Sequence, residues 1–163
     1  MVRVLATGVF DLLHTGHLHF FSEARKLGDE LYVIVATDKR VRELKHEPVT
    51  PQEMRLELVG ALRPVTRAVL GREGDIFEIV EELRPDVIAL GYDQDHDEEA
   101  IKMKLKERGL DVRVERLPKL DQDLDGTRKI IRKIIDVYNF QKKMEVLESA
   151  PAEPRGEKDD GEI

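Results

Sequence analysis

The sequence contains no cysteine among its 163 residues, and this absence excludes both a disulfide framework and thiol chemistry. Such a composition fits a reducing compartment, and we expect a cytoplasmic location. The sequence also has no apolar run long enough to span a bilayer and no N-terminal leader in which a charged segment precedes an apolar one, so we expect no membrane association. An excess of positive charge is absent too. The formal net charge is −7, which gives no support to nucleic-acid binding.

The length and composition predict one globular domain with a substantial core. A chain of 163 residues is too short for two ordinary domains, and 40% of its residues are hydrophobic. We place this domain at residues 1–147. The following residues are rich in proline, glycine and acidic side chains, and nothing apolar and large occurs among residues 148–162. We therefore expect residues 148–163 to form a disordered acidic tail.

Strand and helix patterns alternate along the chain. Continuous apolar or β-branched runs predict five strands, and a segment with helical periodicity follows each of them. The predicted strands are Val2–Ala6, Leu31–Ala36, Arg67–Leu70, Asp86–Leu90 and Asp111–Glu115. Because crossovers of this kind are right-handed and join parallel strands, the pattern predicts an α/β fold, a three-layer α/β/α sandwich around a five-stranded parallel sheet.

Two helices have clear boundary signals. The first is predicted from about Gly16 to Leu27, with Gly28 as its C-terminal stop. A later helix is predicted to start at Thr50–Glu53, which has the pattern of a capping box with proline at the first helical position. Its core stripe is predicted to contain Met54, Leu58, Ala61 and Leu62, and Arg55 lies off that stripe.

The turn between the first strand and the first helix, Ala6–His17, carries the strongest functional signal. We call it the histidine turn. Its glycines allow close approach of a ligand to the backbone, and the unpaired N–H groups of a helix start favour phosphate. His14 and His17 lie on about the same side of the first helical turn and add side-chain donors.

Three other interpretations of the histidine turn are weaker. A buried structural histidine pair is uncommon in a glycine-containing turn that follows a strand. A zinc site formed by His14, His17 and His19 lacks the further histidine or cysteine cluster that would complete a tetrahedral set. A redox dinucleotide site would require Gly-x-Gly-x-x-Gly in this turn, and that pattern is absent.

The sequence Gly-Val-Phe-Asp followed by His-Thr-Gly-His resembles the signature of the nucleotidyltransferase superfamily that includes cytidylyltransferases, phosphopantetheine adenylyltransferases and archaeal FAD synthetases. The segments Gly74–Phe77 and Arg84–Gln94 resemble the archaeal FAD synthetases most. This resemblance implies a Rossmann-like nucleotidyltransferase fold and the transfer of AMP from ATP to FMN, with release of pyrophosphate. Two alternatives stay open: a CTP-dependent glycerol-3-phosphate cytidylyltransferase, and a non-catalytic regulatory module that binds nucleotides.

The resemblance also implies roles for individual residues. His14 and His17 would be catalytic and would contact the α- and β-phosphate oxygens. A divalent ion, Mg²⁺ or similar, would be held by the triphosphate, with no metal site in the protein itself, and the partners would be ATP, FMN and, in a homodimer, a second copy. The segment Gly126–Lys129 resembles a cytidylyltransferase motif that binds the triphosphate, with Gly126 in place of a serine. The implied nucleotide-binding residues are Val9, Phe10, His14, Thr15, Gly16, His17, Lys45, Arg55, Gly91, Asp93, Thr127 and Arg128.

Overall fold

A computed structural model describes residues 1–44, 47–92, 94, 97–120 and 126–149 of the chain. These residues divide into two units, one formed by residues 1–127 and one that begins at Arg128. The elements are β1 (Arg3–Gly8), α1 (Thr15–Arg25), β2 (Glu30–Val35), α2 (Asp38–Leu44), α3 (Gln52–Gly60), β3 (Arg67–Leu70), α4 (Ile76–Leu83), β4 (Val87–Leu90), α5 (Glu98–Glu107), β5 (Arg113–Arg116) and α6 (Thr127–Ser149).

The five strands form one parallel sheet in the order β3-β2-β1-β4-β5, which confirms the predicted fold class. The central strand is β1, where Val4 pairs with Leu31 of β2 on one side and with Val87 of β4 on the other. The chain builds outward from β1 to β3 and then crosses to the other side of β1 at β4. In open α/β sheets, ligands bind outside the carboxyl ends of the strands at such a reversal.

Two apolar clusters cover the two faces of the sheet. Val4 and Ala6 of β1 pack on one face with Phe21 of α1 and Val59 of α3. Alternate residues point the other way, and Leu5 belongs to a second cluster with residues of α4 and α5. Helices therefore lie on both faces, as the three-layer prediction requires, and the strands are buried on both sides.

The end of α1 differs from the prediction. The helix ends at Arg25, and Gly28 lies outside the left-handed region that a glycine helix stop adopts. A Cβ atom at Gly28 would stand 2.6 Å from the carbonyl oxygen of Val2 and 2.8 Å from Cγ2 of Val4. Glycine is needed here because the segment after α1 passes close to the start of β1.

The predicted capping box and core stripe of α3 were wrong. The helix begins at Gln52 without a side-chain cap, because the hydroxyl of Thr50 donates to the carboxylate of Asp11 instead. Met54 and Leu58 are 47% and 41% exposed. The buried face of α3 carries the side chain predicted to lie off the stripe, Arg55, together with the apolar Val59, while Ala61 is exposed and Leu62 packs partly against the core.

The second unit contributes the greater part of α6, which continues to Ser149. The helix therefore runs two residues past the predicted end of the domain at residue 147. Residues 150–163 lie outside the described residues, and the disordered tail stays a prediction. Among the helices that the structure describes, we find none that combines the length and the apolar character needed to cross a membrane.

Candidate active site

The histidine turn connects the carboxyl end of β1 to the start of α1, as predicted. Two of its residues, Phe10 and Leu12, adopt positive φ values of 55° and 54°. This left-handed conformation costs a residue with a side chain about 1–2 kcal/mol, so the surrounding structure must hold it in place. Strain of this kind concentrates at functional sites.

The ring of Phe10 fixes the path of the turn. A Cβ atom at Gly8 would stand only 2.7 Å from Cζ of Phe10, so the space that glycine leaves is filled by this ring. The ring also packs against Phe21, with centroids 4.8 Å apart, and meets His17 at 5.4 Å in an edge-on arrangement. Gly8 therefore serves the packing of Phe10, and the close approach of a ligand to this backbone stays a prediction.

His14 is the N-cap of α1. Its Nδ1 accepts a hydrogen bond from the amide of Gly16 at 3.1 Å, and its carbonyl oxygen accepts one from the amide of His17 at 3.0 Å. Because Nδ1 is an acceptor, the neutral ring carries its proton on Nε2, which is then a donor. The amide of Gly16, one of the predicted nucleotide ligands, is engaged in this cap, whereas Thr15 is exposed at the helix start.

His17 lies against His14 and is uncharged at neutral pH. The two rings stack with centroids 3.8 Å apart. Burial, and then the proximity of His14, lower the pKa of His17 to about 3, and the opposing effect of Asp11 is smaller. Its Nδ1 is buried and has no hydrogen-bond partner among the residues that the structure describes. Nε2 is therefore the nitrogen through which the ring can meet a ligand.

Asp11 joins the histidine turn to the segment before α3. Its buried carboxylate accepts hydrogen bonds from the amides of Val49 and Thr50, at 2.6 and 2.9 Å, and from the hydroxyl of Thr50 at 2.6 Å. Burial alone would raise the pKa of Asp11, but these three hydrogen bonds and the positive charge of Arg55 lower it. The carboxylate is therefore ionised at neutral pH. Sequence reasoning assigned Asp11 no role, although it lies inside the recognised motif.

Arg55 lies underneath the histidine turn, with only 1% of its surface exposed. Its Nη1 donates to the carbonyl oxygens of Val9 and Ala36 at 2.7 and 2.9 Å, and its Nε donates to that of Thr50 at 3.1 Å. Its Nη2 forms an ion pair with Asp38 at 2.6 Å. All three nitrogens of the guanidinium thus have acceptors within the protein.

The carboxyl end of β4 is tied to that of β1 by Gln94. Its side-chain amide donates to the carbonyl oxygen of Thr7 at 2.6 Å and accepts from the amide of Gly91 at 2.9 Å. Arg116 of β5 donates through Nη1 to the carbonyl oxygens of Gly91 and Gln94, at 2.9 and 2.8 Å. Both backbone groups of Gly91 are therefore engaged inside the protein. Sequence reasoning assigned Gln94 and Arg116 no role, because the hydrogen bonds that they form join segments distant in the sequence.

The geometry can be compared with known proteins. A family model described as cytidylyltransferase-like matches residues 5–154. The chain belongs to the cytidylyltransferase-like family. It is 56% identical over 137 residues to the FAD synthase of Aciduliprofundum boonei, a match that covers 83% of this chain and 92% of the relative. It is 51% identical over 138 residues to the FAD synthase of Archaeoglobus profundus, covering 84% and 88% of the two chains.

A solved structure is also similar to this chain. The crystal structure of the lipopolysaccharide core biosynthesis protein from Thermoplasma volcanium is 47% identical to this chain, with a TM-score of 0.73. The match covers 74% of this chain and 99% of that one. The sequence prediction of a nucleotidyltransferase related to archaeal FAD synthetases is thus confirmed at the level of the cytidylyltransferase-like family and its relatives.

The structure places some of the residues implied by the family resemblance, and others lie outside what it describes. The hydroxyl of Thr127 donates to the carbonyl oxygen of Asp11 at 2.7 Å, so the start of α6 contacts the histidine turn. Arg128 begins the second unit, and its contact with phosphate stays a prediction. Lys45 and Asp93 lie outside the described residues.

The side chains of the described residues do not form a ligand set for a metal ion. Within residues 1–44, 47–92, 94, 97–120 and 126–149, no three histidine or acidic side chains come together in a way that could hold a metal ion. The described residues therefore give no support to a zinc site at His14, His17 and His19. The histidine turn of this cytidylyltransferase-like site presents imidazole rings and backbone N–H groups at the start of α1.

Proposed function

We propose that this protein transfers AMP from ATP to FMN, giving FAD and pyrophosphate. The observation that carries this proposal is the stacked pair of His14 and His17 at the N-terminus of α1, at the reversal point of the sheet. Two relatives that are 56% and 51% identical are named FAD synthase, and these names support the choice of product. The attack joins an FMN phosphate oxygen to the α-phosphorus of ATP and breaks the bond to the pyrophosphate.

The nucleophile needs no general base. A phosphate monoester with a second pKa of about 6 is already mostly dianionic at neutral pH. The protein must therefore stabilise the charge that grows on the α-phosphate oxygens and on the leaving pyrophosphate. We assign this task to Nε2 of His14 and of His17. The neutral imidazole of His17 suits it, because this ring donates a hydrogen bond without having to be protonated first.

Backbone groups supplement the two rings. The amides of Val9 and Phe10 lie in the histidine turn, and we assign them to phosphate oxygens of ATP or of the acceptor. The N-terminal end of α1 adds its partial positive charge. We expect a divalent ion, Mg²⁺ or similar, to arrive with the triphosphate and to neutralise part of its charge, because Mg²⁺ commonly binds through substrate phosphates.

The deciding experiment offers the purified protein ATP or CTP together with FMN, glycerol 3-phosphate or phosphopantetheine, and measures the pyrophosphate released. We expect release with ATP and FMN, accompanied by FAD that can be separated chromatographically. Release only with CTP and glycerol 3-phosphate would assign the protein to the other transferase. Nucleotide binding without release from any pair would identify a regulatory module.

Three sequence predictions about the whole molecule belong to this proposal. A homodimer is expected, and size-exclusion chromatography with light scattering tests it. A cytoplasmic location and the absence of nucleic-acid partners are expected from the composition. Fractionation of cells that express a tagged chain tests the first, and a filter-binding assay tests the second.

A further inference from the structure

The peptide bond between Val9 and Phe10 is held from its buried side. Nη1 of Arg55 donates to the carbonyl oxygen of Val9 at 2.7 Å. Because a trans peptide is planar, the N–H of Phe10 points opposite to that oxygen, away from the guanidinium. Among the described residues, the N–H of Phe10 has no hydrogen-bond partner. The hydrogen bond from Arg55 to the carbonyl oxygen of Val9 therefore also fixes the direction of the N–H of Phe10.

This peptide needs such support. Phe10 has a φ of 55°, a conformation that persists only where neighbouring groups impose it. Before Phe10, the carbonyl oxygen of Val9 accepts a hydrogen bond from Arg55. After Phe10, the carboxylate of Asp11 accepts one from the hydroxyl of Thr50. The same guanidinium also bonds the carbonyl oxygen of Thr50, so one side chain connects both supports.

The charge of Arg55 is already compensated. Asp38 stands 2.6 Å from Nη2, and the carboxylate of Asp11 interacts electrostatically with the same guanidinium. If Arg55 turned outward to a phosphate, it would leave the carbonyl oxygens of Val9, Ala36 and Thr50 without this donor, inside the protein. Buried acceptors without partners are costly, which opposes such a movement.

We propose that Arg55 is a positioning residue of the transfer reaction: through the carbonyl of Val9 it presents the N–H of Phe10 to a phosphate oxygen, and it does not contact the triphosphate. This inference rests on the proposed function, which supplies the reaction, the transfer of AMP from ATP. It replaces the role that the family resemblance implied for Arg55, a direct phosphate ligand.

The test is Arg55→Lys, which keeps the positive charge near Asp38 but loses the planar fork that bonds three carbonyl oxygens. We expect kcat to fall about 10²- to 10³-fold, the usual effect of losing one preorganised donor, while the KM for ATP changes little. We also expect the amide resonance of Phe10 to move in the ¹H–¹⁵N spectrum of the unliganded protein.

Arg3→Lys is the matched control. Arg3 also donates to a backbone carbonyl, that of Leu83 at 2.6 Å, but it lies at the amino end of β1, the end away from the histidine turn. This variant should lower the stability and leave both kcat and the Phe10 resonance unchanged. If Arg55→Lys does not fold, Asp38→Asn is measured in the same ways, with a smaller fall in kcat expected.

Two results would overturn the proposal. One is a raised KM for ATP with the Phe10 resonance unchanged, which would make Arg55 a direct phosphate ligand. The other is wild-type kcat in Arg55→Lys or, where that variant does not fold, in Asp38→Asn. The spectrum needs no substrate, and the kinetic comparison can use whichever pair releases pyrophosphate. Failure of the FMN assignment is thereby distinguished from failure of the role of Arg55.

Discussion

The imidazole rings of His14 and His17 stack with their centroids 3.8 Å apart and their planes 24° from parallel. Two positive charges at this separation would repel each other strongly, so the two rings are not both imidazolium cations near neutral pH. Nδ1 of His14 is occupied by the amide of Gly16, and Nδ1 of His17 is buried. Nε2 is therefore the nitrogen of His17 that can meet a phosphate.

His17→Ala should lower kcat about 10²- to 10³-fold, because it removes a preorganised donor from the transition state. Pyrophosphate release with ATP and FMN measures the effect. His19→Ala is the control, since His19 lies on the same helix but outside the proposed donor set. An equal loss of kcat in both variants would contradict the two-histidine site and would point to a function shared by all three imidazoles.

The stability of the fold should decrease as the pH falls below about 6.5. The pKa of His17 is about 3 in the folded protein and 6.5 for an unperturbed histidine, so between these values the unfolded chain binds more protons. The contribution of His17 is complete above pH 6.5 and is lost progressively as the pH falls toward 3, with a slope of at most about 1.4 kcal/mol per pH unit. Urea unfolding at about pH 7.5 and about pH 5 measures it.

The same pH comparison in His17→Ala isolates this group. The pKa of Asp11 is also lowered, but an unperturbed aspartate titrates near 3.8, so its contribution is lost at lower pH. The difference in unfolding free energy between the two pH values should therefore shrink in the variant. An unchanged difference would mean that His17 is protonated in the fold as readily as in the unfolded chain.

Gly8→Ala should disturb the active site through Phe10. The added methyl group would stand 2.7 Å from Cζ of the ring, and the ring would have to move away from its edge-on contact with His17. Overpacking of this kind costs about 1–3 kcal/mol, so we expect a lower melting temperature together with a lower kcat.

Gly60→Ala is the matched control for this substitution. Its Cβ atom would make an ordinary contact, 3.6 Å from that of Ala68, within a helix. Alanine at a helical position should stabilise the protein by about 0.5–1 kcal/mol and leave kcat unchanged. Wild-type activity and stability in Gly8→Ala would show that the ring of Phe10 can be displaced without consequence.

Gln94→Ala should weaken ATP binding. The side chain joins Thr7 of β1 to Gly91 of β4 beside the histidine turn, and its loss leaves a buried donor and a buried acceptor unpaired. We expect a higher KM for ATP and a stability loss of about 1–3 kcal/mol per unpaired group. Gln94→Glu can still accept from Gly91 but cannot donate to Thr7, and it should also raise the KM. Wild-type KM values in both variants would contradict this role.

Most of the fold could be predicted, because a strand that is buried on both faces of the sheet is a continuous apolar run in the sequence. Strands in the middle of a parallel sheet are continuous apolar runs, and Leu31–Val35 is one of them. Some helix ends also have a cause that is local in the sequence. Asp75 accepts from the amide of Phe77 as an N-cap, and Gly109 adopts a φ of 71° at the end of α5.

The errors share one physical origin, which is competition from partners distant in sequence. Thr50 has the local pattern of a helix cap, but its hydroxyl bonds Asp11, 39 residues away. Arg55 is charged, which argues for exposure, yet acceptors from three separate segments compensate its burial. A pattern of neighbouring residues contains no information about such bonds. The histidine turn was predicted because its chemistry is local, whereas the groups beneath it were not.

The central position of β1 determines how the active site responds to partial opening of the fold. The edge strands β3 and β5 can lose their outer pairing without disturbing the two ladders that hold β1, to β2 and to β4. Amide hydrogens of β1 should therefore exchange with solvent among the slowest in the chain, near the limit set by global unfolding. Fraying at the sheet margins would leave the histidines in place, so heat inactivation should coincide with cooperative melting of the whole sheet.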